Sequence, residues 1–198
     1  CKTLNLVLIV LLPKATGGFR PIGLFPTLIR IWMRSRYGLA KAWQATHSLP
    51  VTFGGAGRSA GHAAWQAALT AECAALEHID HLQALLDLVE AFETVPHRIL
   101  VRCPLKIGYP IILLRLSIAC YRLKCSVGVE GVCSRALSAT RGITAGAGFA
   151  TVELEVLLYD TVSHLHGAWS PSLGVKVYID DITLTACGLP QRIIHVMI

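Results

Sequence analysis

The first 71 residues contain no acidic side chain. Glu72 is the first, and before it Lys2, Lys14, Arg20, Arg30, Arg34, Arg36, Lys41 and Arg58 give this stretch a charge of +8; the other ten basic residues against all 12 acids give −2. A cationic third of this kind points to a polyanionic partner, or else to an ordinary solvated basic face. Long apolar runs are also missing. Although 54% of the 198 residues are hydrophobic and only 15% charged, the N-terminal run ends after Leu6 to Leu12, and Ile111 to Leu114 is cut by Arg115. A membrane-spanning helix needs about 20 predominantly apolar residues, so no membrane partner is expected. The N-terminal run leads into Lys14, Gly17, Gly18 and Arg20 without a small-residue cleavage pattern, which disfavours a secretory signal. The seven cysteines are odd in number and form no C-x-x-C pair, so neither a disulfide framework nor a four-cysteine zinc site is indicated. A reducing, intracellular compartment, nucleus or cytoplasm, is the expectation. Cys73, His78 and His81 lack a fourth metal ligand at a usual spacing. There is no internal repeat and no low-complexity tract; the length suits one domain or two small subdomains. The chain opens on Cys1 and closes on Ile193, Ile194, Val196 and Ile198 without a polar tail, which reads as a fragment.

The pattern along the chain mixes strands and helices. Residues 4 to 12 are β-branched and leucine-rich, Lys14 to Gly18 has turn chemistry, and Phe19 to Leu24 can return as a second strand, giving a hairpin with a basic tip. Pro26 can open a helix that runs toward Gln44, with Arg30 and Arg34 four apart on one face. After the Gly54, Gly55, Gly57, Gly61 loop, Ala63 to Leu76 is helical by propensity. The segment from His81 to Val95 stays ambiguous: Leu82, Leu85, Leu86, Val89 and Phe92 follow helical spacing, yet Ala84 to Val89 could equally be a buried strand. Further helices are expected over 111–123 and 149–164, a hairpin over 126–134 around Glu130-Gly131, and another over 174–185 with Asp180-Asp181 as its turn.

Four segments then stand in a telling order: Phe19-Arg20-Pro21-Ile22-Gly23-Leu24, Leu86-Asp87-Leu88-Val89-Glu90-Ala91-Phe92 through His97, Arg141-Gly142-Ile143-Thr144-Ala145-Gly146, and Tyr178-Ile179-Asp180-Asp181. With these the chain resembles the reverse transcriptases, and among them the non-LTR retrotransposon (LINE-like) type. The resemblance implies an α+β polymerase right hand: fingers over 1–79, a palm over 80–198 truncated after its third motif, and no thumb. It also implies that Asp87 ends a palm strand, against the helical spacing. The function implied is RNA-directed DNA polymerisation, the partners an RNA template, a DNA primer and a dNTP. An RNA-directed RNA polymerase palm is disfavoured, since those usually have Gly where this chain has Ile179.

Such chemistry explains the residue types. Joining a 3′-hydroxyl to an α-phosphate builds charge on the attacking and leaving oxygens, and two Mg²⁺ ions stabilise both. Mg²⁺ takes oxygen ligands and keeps several waters, so a few carboxylates suffice. The resemblance assigns Asp87 and Asp180 as principal ligands of Mg²⁺ (or Mn²⁺), with Asp181 a weaker third and the Leu88 carbonyl an extra. It makes Phe92 the aromatic that crowds the sugar 2′-position, Lys14 and Arg20 the grip on the triphosphate, and Gly146 part of the nucleotide site. Arg30, Arg34 and Lys41 are expected on the nucleic-acid backbone. Ala145 stands where the family usually has Gln, Glu90 where a lysine is common and Glu93 where Asp is usual. The chain stops 17 residues after Asp181, before the family's general-acid lysine and primer grip. A non-catalytic remnant that keeps the fold and nucleic-acid binding is the alternative.

Overall fold

The computed structural model describes residues 5–15, 17–55 and 57–197. It has mixed α+β architecture. The strands are β1 (Leu6–Pro13), β2 (Phe19–Leu24), β3 (Asp80–Asp87), β4 (Lys124–Val129), β5 (Val132–Cys133), β6 (Leu137–Ser138), β7 (Gly174–Tyr178) and β8 (Asp181–Gly188). The helices are α1 (Thr27–His47), α2 (Ala60–Leu76), α3 (His97–Lys106), α4 (Ile111–Tyr121), α5 (Ala150–Trp169) and α6 (Pro190–Met197). These fall into two compact units interleaved in sequence, 1–43 with 90–157 and 44–89 with 158–198.

The first unit holds a mixed sheet in the order β2-β1-β4-β5, with β6 also paired to β4. The expected hairpin forms as β1 and β2, Pro13 opposite Phe19, and the Lys14 N–H donates to the Gly18 carbonyl across its tip. What the sequence did not announce is the parallel pairing of β1 with β4, more than 110 residues away. The core beneath is built by Leu100 of α3, Leu113 of α4 and Phe149, all sealed from solvent. Burial of each such side chain contributes about 1.5–3 kcal/mol. Trp32 meets Phe149 edge-on at 6.2 Å, Trp43 meets Tyr109 at 5.5 Å, and the Trp43 indole N–H donates to the Ile107 carbonyl at 3.2 Å.

The second unit carries an antiparallel sheet in the order β3-β8-β7. The ambiguous segment is therefore a strand as far as Asp87, where the run meets a cross-strand partner, and a turn over 89–94 thereafter. Residues alternate across it. Val175, Val177, Ile182 and Leu184 pack with Val51, Val162 and Leu173 into this unit's core, while their neighbours Lys176, Tyr178, Asp181 and Thr183 take the opposite face. Residues 51–53 extend the β7 edge, since the Phe53 N–H donates to Val177 and the Val177 N–H to Val51. Arg58, one of the eight basic residues of the cationic third, spends its guanidinium on the carbonyls of Leu49, Pro50 and Thr52 at 2.8–2.9 Å.

Candidate functional site

The β7–β8 hairpin turns through only Ile179 and Asp180, because Tyr178 is paired with Asp181. Ile179 sits at φ +60°, a left-handed conformation that a β-branched residue rarely adopts and that costs on the order of 1–3 kcal/mol. The strain has a consequence for the carboxylates. The tight turn starts β8 at Asp181, and the register of β8 on β3 then sets Asp181 directly opposite Asp87. Side chains paired in this way have Cβ atoms about 4.5–5.5 Å apart. Asp180 precedes them in the turn, and its carbonyl accepts a long 3.4 Å bond from the Leu88 N–H, carrying the ladder one residue past Asp87. The Asp181 carboxyl is raised above the usual carboxylate range, first by partial desolvation and then by the negative charges of Asp180 and Asp87. Asp87 and the adjacent pair Asp180 and Asp181, more than 90 positions away, thus share one end of one sheet, and the charges of Asp87 and Asp180 act on Asp181.

The structure brings a wall to this end of the sheet. A groove of about 550 Å³ runs between the alanine face of α2 (Ala60, Ala63, Ala64, Ala67, Ala68) and the sheet residues Gln83, Leu85, Asp87, Lys176, Tyr178, Asp181 and Thr183. Alanines leave room there that larger side chains would fill. Lys176, half-buried in the groove, has its ammonium pKa lowered chiefly by desolvation. Among the described residues no three of His, Cys, Asp and Glu stand as a ready-made metal-ligand set. The donor set nevertheless fits a hard divalent cation: it is all carboxylate oxygen, and the negative charges of Asp180 and Asp87 that act on Asp181 would be offset by positive charge between the groups.

The remaining predicted residues lie in the first unit. Lys14 stands in the β1–β2 turn and Arg20 on β2 opposite Leu12, both exposed. Arg30, Arg34 and Lys41 line a groove of about 840 Å³ along α1, together with Tyr37, Gly146 and Gly148. Lys41 reaches over the Tyr37 ring at 5.3 Å. Gly146, at φ +101°, passes so close to β2 that a Cβ would lie 2.5 Å from the Gly23 carbonyl oxygen, so no other residue fits. Phe92 packs partly buried against the core, and its carbonyl accepts from the Ile143 N–H at 2.7 Å; the Gly142 N–H donates to Val95 in the same way. Residues 92–96 and 141–143 are thereby tied together, as two of the four recognised segments.

Sequence reasoning missed one residue here altogether. Glu153 of α5 is completely buried in the first unit. Its spacing from Phe149 and Val156 on the apolar stripe of α5 was the available signal, and the acidic side chain masked it.

No protein-family model and no curated protein matches the sequence. Solved structures do match. The apo telomerase of Candida tropicalis superposes with a TM-score of 0.69 at 13% identity, over 98% of this chain and 40% of that one. The same telomerase truncated from its C-terminal domain gives 0.65 at 14%, over 98% and 46%. The Candida albicans telomerase, solved in complex with the TWJ fragment of telomeric RNA, gives 0.66 at 13%, over 98% and 39%. The fold is reverse-transcriptase-like. The chain spans less than half the length of these telomerases. Among its described residues no helix is long and apolar enough to cross a membrane.

Proposed function

We propose that the chain is a reverse transcriptase domain fragment of the non-LTR retrotransposon type, an RNA-directed DNA polymerase with fingers over residues 1–79 and a palm over residues 80–198. The observation that carries this reading is the register of β3 on β8, which pairs Asp87 with Asp181 beside Asp180 at a strained hairpin tip. Asp87, Asp180 and Asp181, with the Leu88 carbonyl as an added oxygen, would hold Mg²⁺ or Mn²⁺; bound there, the ions supply charge stabilisation to the attacking and leaving oxygens of an in-line displacement.

The chain's own groups do the rest. Lys14 and Arg20 grip the dNTP triphosphate, where the planar guanidinium of Arg20 suits bidentate pairing with phosphate oxygens. Phe92 crowds the sugar 2′-position and rejects ribonucleotides, and Gly146 keeps the backbone free of a side chain beside the nucleotide. Arg30, Arg34 and Lys41, gathered in one groove without an acid, neutralise phosphates of the RNA template and DNA primer. Tyr37 in the same groove offers a face on which a base can stack.

Thermal unfolding with increasing Mg²⁺ or Mn²⁺ tests the metal role without requiring turnover. A ligand at ten times its Kd stabilises by about 1.4 kcal/mol, so the wild-type chain should melt higher with metal, and Asp87→Asn and Asp180→Asn should not respond. An equal metal response in all three proteins would sink the assignment. Primer extension on an RNA template, by the chain joined to a thumb-containing C-terminal extension, then separates the polymerase from a non-catalytic remnant, which would bind nucleic acid and take up metal without extending the primer.

A further inference from the structure

The carboxyl of Glu153 on α5 is fully buried, and no cation is among the described groups that shift it. One oxygen is satisfied. The Tyr121 hydroxyl donates to Glu153 Oε2 at 2.5 Å. The other oxygen, Oε1, has no hydrogen-bond partner, and neither do two further buried hydroxyls, Ser117 Oγ and Tyr109 Oη. These orphans belong together. Ser117 and Tyr121 lie four apart on one face of α4, the Ser117 hydroxyl lies close enough to favour the charged form of Glu153 while outside hydrogen-bond geometry with it, and Tyr109 and Glu153 act on one another electrostatically.

A buried polar atom left unpaired is costly, and most such atoms in folded proteins are satisfied by protein or by ordered water. Here two unpaired hydroxyls accompany the unpaired oxygen of the carboxyl itself. The geometry points to a single buried water molecule held by Glu153, Ser117 and Tyr109, with Glu153 present as the neutral carboxylic acid. A water needs two to four polar partners, and here it has three. Tyr121 donates to the carbonyl oxygen of the acid, the acid proton on Oε1 and the Tyr109 hydroxyl donate to the water, and the water donates to Ser117 Oγ.

It is the burial of the carboxyl itself that favours the neutral acid. Burial, followed by the influence of Glu153, holds the Tyr109 and Tyr121 phenols well above their usual range and pushes the Cys120 thiol up to about 11. Burial likewise raises Glu153 to about 7, the Ser117 and Tyr121 hydroxyls opposing it. Tyr37 of α1 also raises Tyr109. His97 of α3 is stacked on the Tyr121 ring, with Nε2 hydrogen-bonded to the Gly142 carbonyl at 3.0 Å.

This inference is independent of the polymerase reading and is tested on the whole chain by thermal unfolding. If the chamber were empty, deleting an orphan hydroxyl would relieve an unpaired group, and Ser117→Ala and Tyr109→Phe would melt at or above the wild-type temperature. With the water in place each deletion removes one of its partners, and each variant should melt about 2–4 °C lower. Glu153→Gln copies the donor and acceptor of the neutral acid; it should melt near wild type at pH 5 and lack the wild-type fall in melting temperature toward pH 7.5. Hydroxyl deletions that leave the melting temperature unchanged or raise it would overturn the proposal, as would coincident pH profiles for wild type and Glu153→Gln. A rise specific to Na⁺, K⁺ or NH₄⁺ at equal ionic strength, present in wild type and lost in Glu153→Gln, would overturn it in favour of a cation.

Discussion

Two carboxylates, Glu153 and Asp181, have raised pKa values for different reasons, and the difference predicts different behaviour. For Glu153 the cause is burial, and the group rises from 4.5 to about 7. Below pH 4.5 it is protonated in both folded and unfolded chains, and its full contribution to stability is present. As pH climbs from 4.5 to 7 the unfolded chain releases the proton while the folded chain keeps it, so stability falls by about 1.4 kcal/mol per unit and by about 3 kcal/mol in all. Above 7 the loss is complete. Asp181 is exposed and feels Asp180 and Asp87 in addition to partial desolvation, so its effect is smaller and tied to the site. Its stability contribution is likewise lost as pH rises from the carboxylate range, leaving unrelieved repulsion at pH 7. In chelator at neutral pH, Asp181→Asn should therefore melt about 1–2 °C above wild type, and the gap should close as pH falls toward 4. A variant that melts below wild type in chelator would mean that the carboxylate is held by favourable contacts instead of repelled.

At the scale of elements, α2 shows how a helix can end without the residue that usually ends it. Ser59 caps its start, the His62 N–H donating to the serine hydroxyl at 3.3 Å. At its other end His78 takes the left-handed conformation, φ +53°, and the Ile79 and His78 N–H groups return to the carbonyls of Ala74 and Ala75. Glycine is the common residue in that position. A side chain there costs about 1–2 kcal/mol, glycine's extra unfolded freedom offsets 0.5–1 of it, and so His78→Gly should stabilise the second unit by about 0.5–1 kcal/mol in a denaturant titration. A lower midpoint would show that the imidazole makes a contact worth more than the strain. The same helix explains what could be read from sequence. Hairpins announced by turn residues, and helices with clear starts such as α1 and α4, were readable because the signal is local. The strand β3 was not, since its leucines fit two periods and only the pairing with β8 decides between them. Helix α3 was missed because Pro104 reads as a terminator; it sits buried inside the helix, where packing outweighs the lost N–H. The carboxylate cluster was visible only through the resemblance of four segments, and the chamber around Glu153 was not visible at all, because burial is a property of neighbours that the sequence does not name.

For the molecule as a whole, the division of charge matters more than its total. The acid-free stretch of residues 1–71 crosses from one unit into the other, because each unit is assembled from two separate pieces of chain. Its cations do not act alike. Arg58 is occupied by three backbone carbonyls, whereas Arg30, Arg34 and Lys41 face one open groove. If that groove binds a nucleic-acid backbone, affinity should fall linearly on a logarithmic salt axis, with each neutralised phosphate adding about 0.7 to the slope on single strands and about 0.9 on duplex DNA. Replacing Arg30 and Arg34 together by alanine should then reduce the slope on single-stranded RNA by roughly 1.4, two phosphates' share, and weaken binding most at low salt. Arg58→Ala provides the contrast: it should lower the melting temperature by freeing three carbonyls while leaving the slope unchanged. Anisotropy titrations at four or five salt concentrations distinguish these outcomes. An undiminished slope in the double variant would show that the arginines on α1 are solvated surface and that the polyanion, if one binds, binds elsewhere.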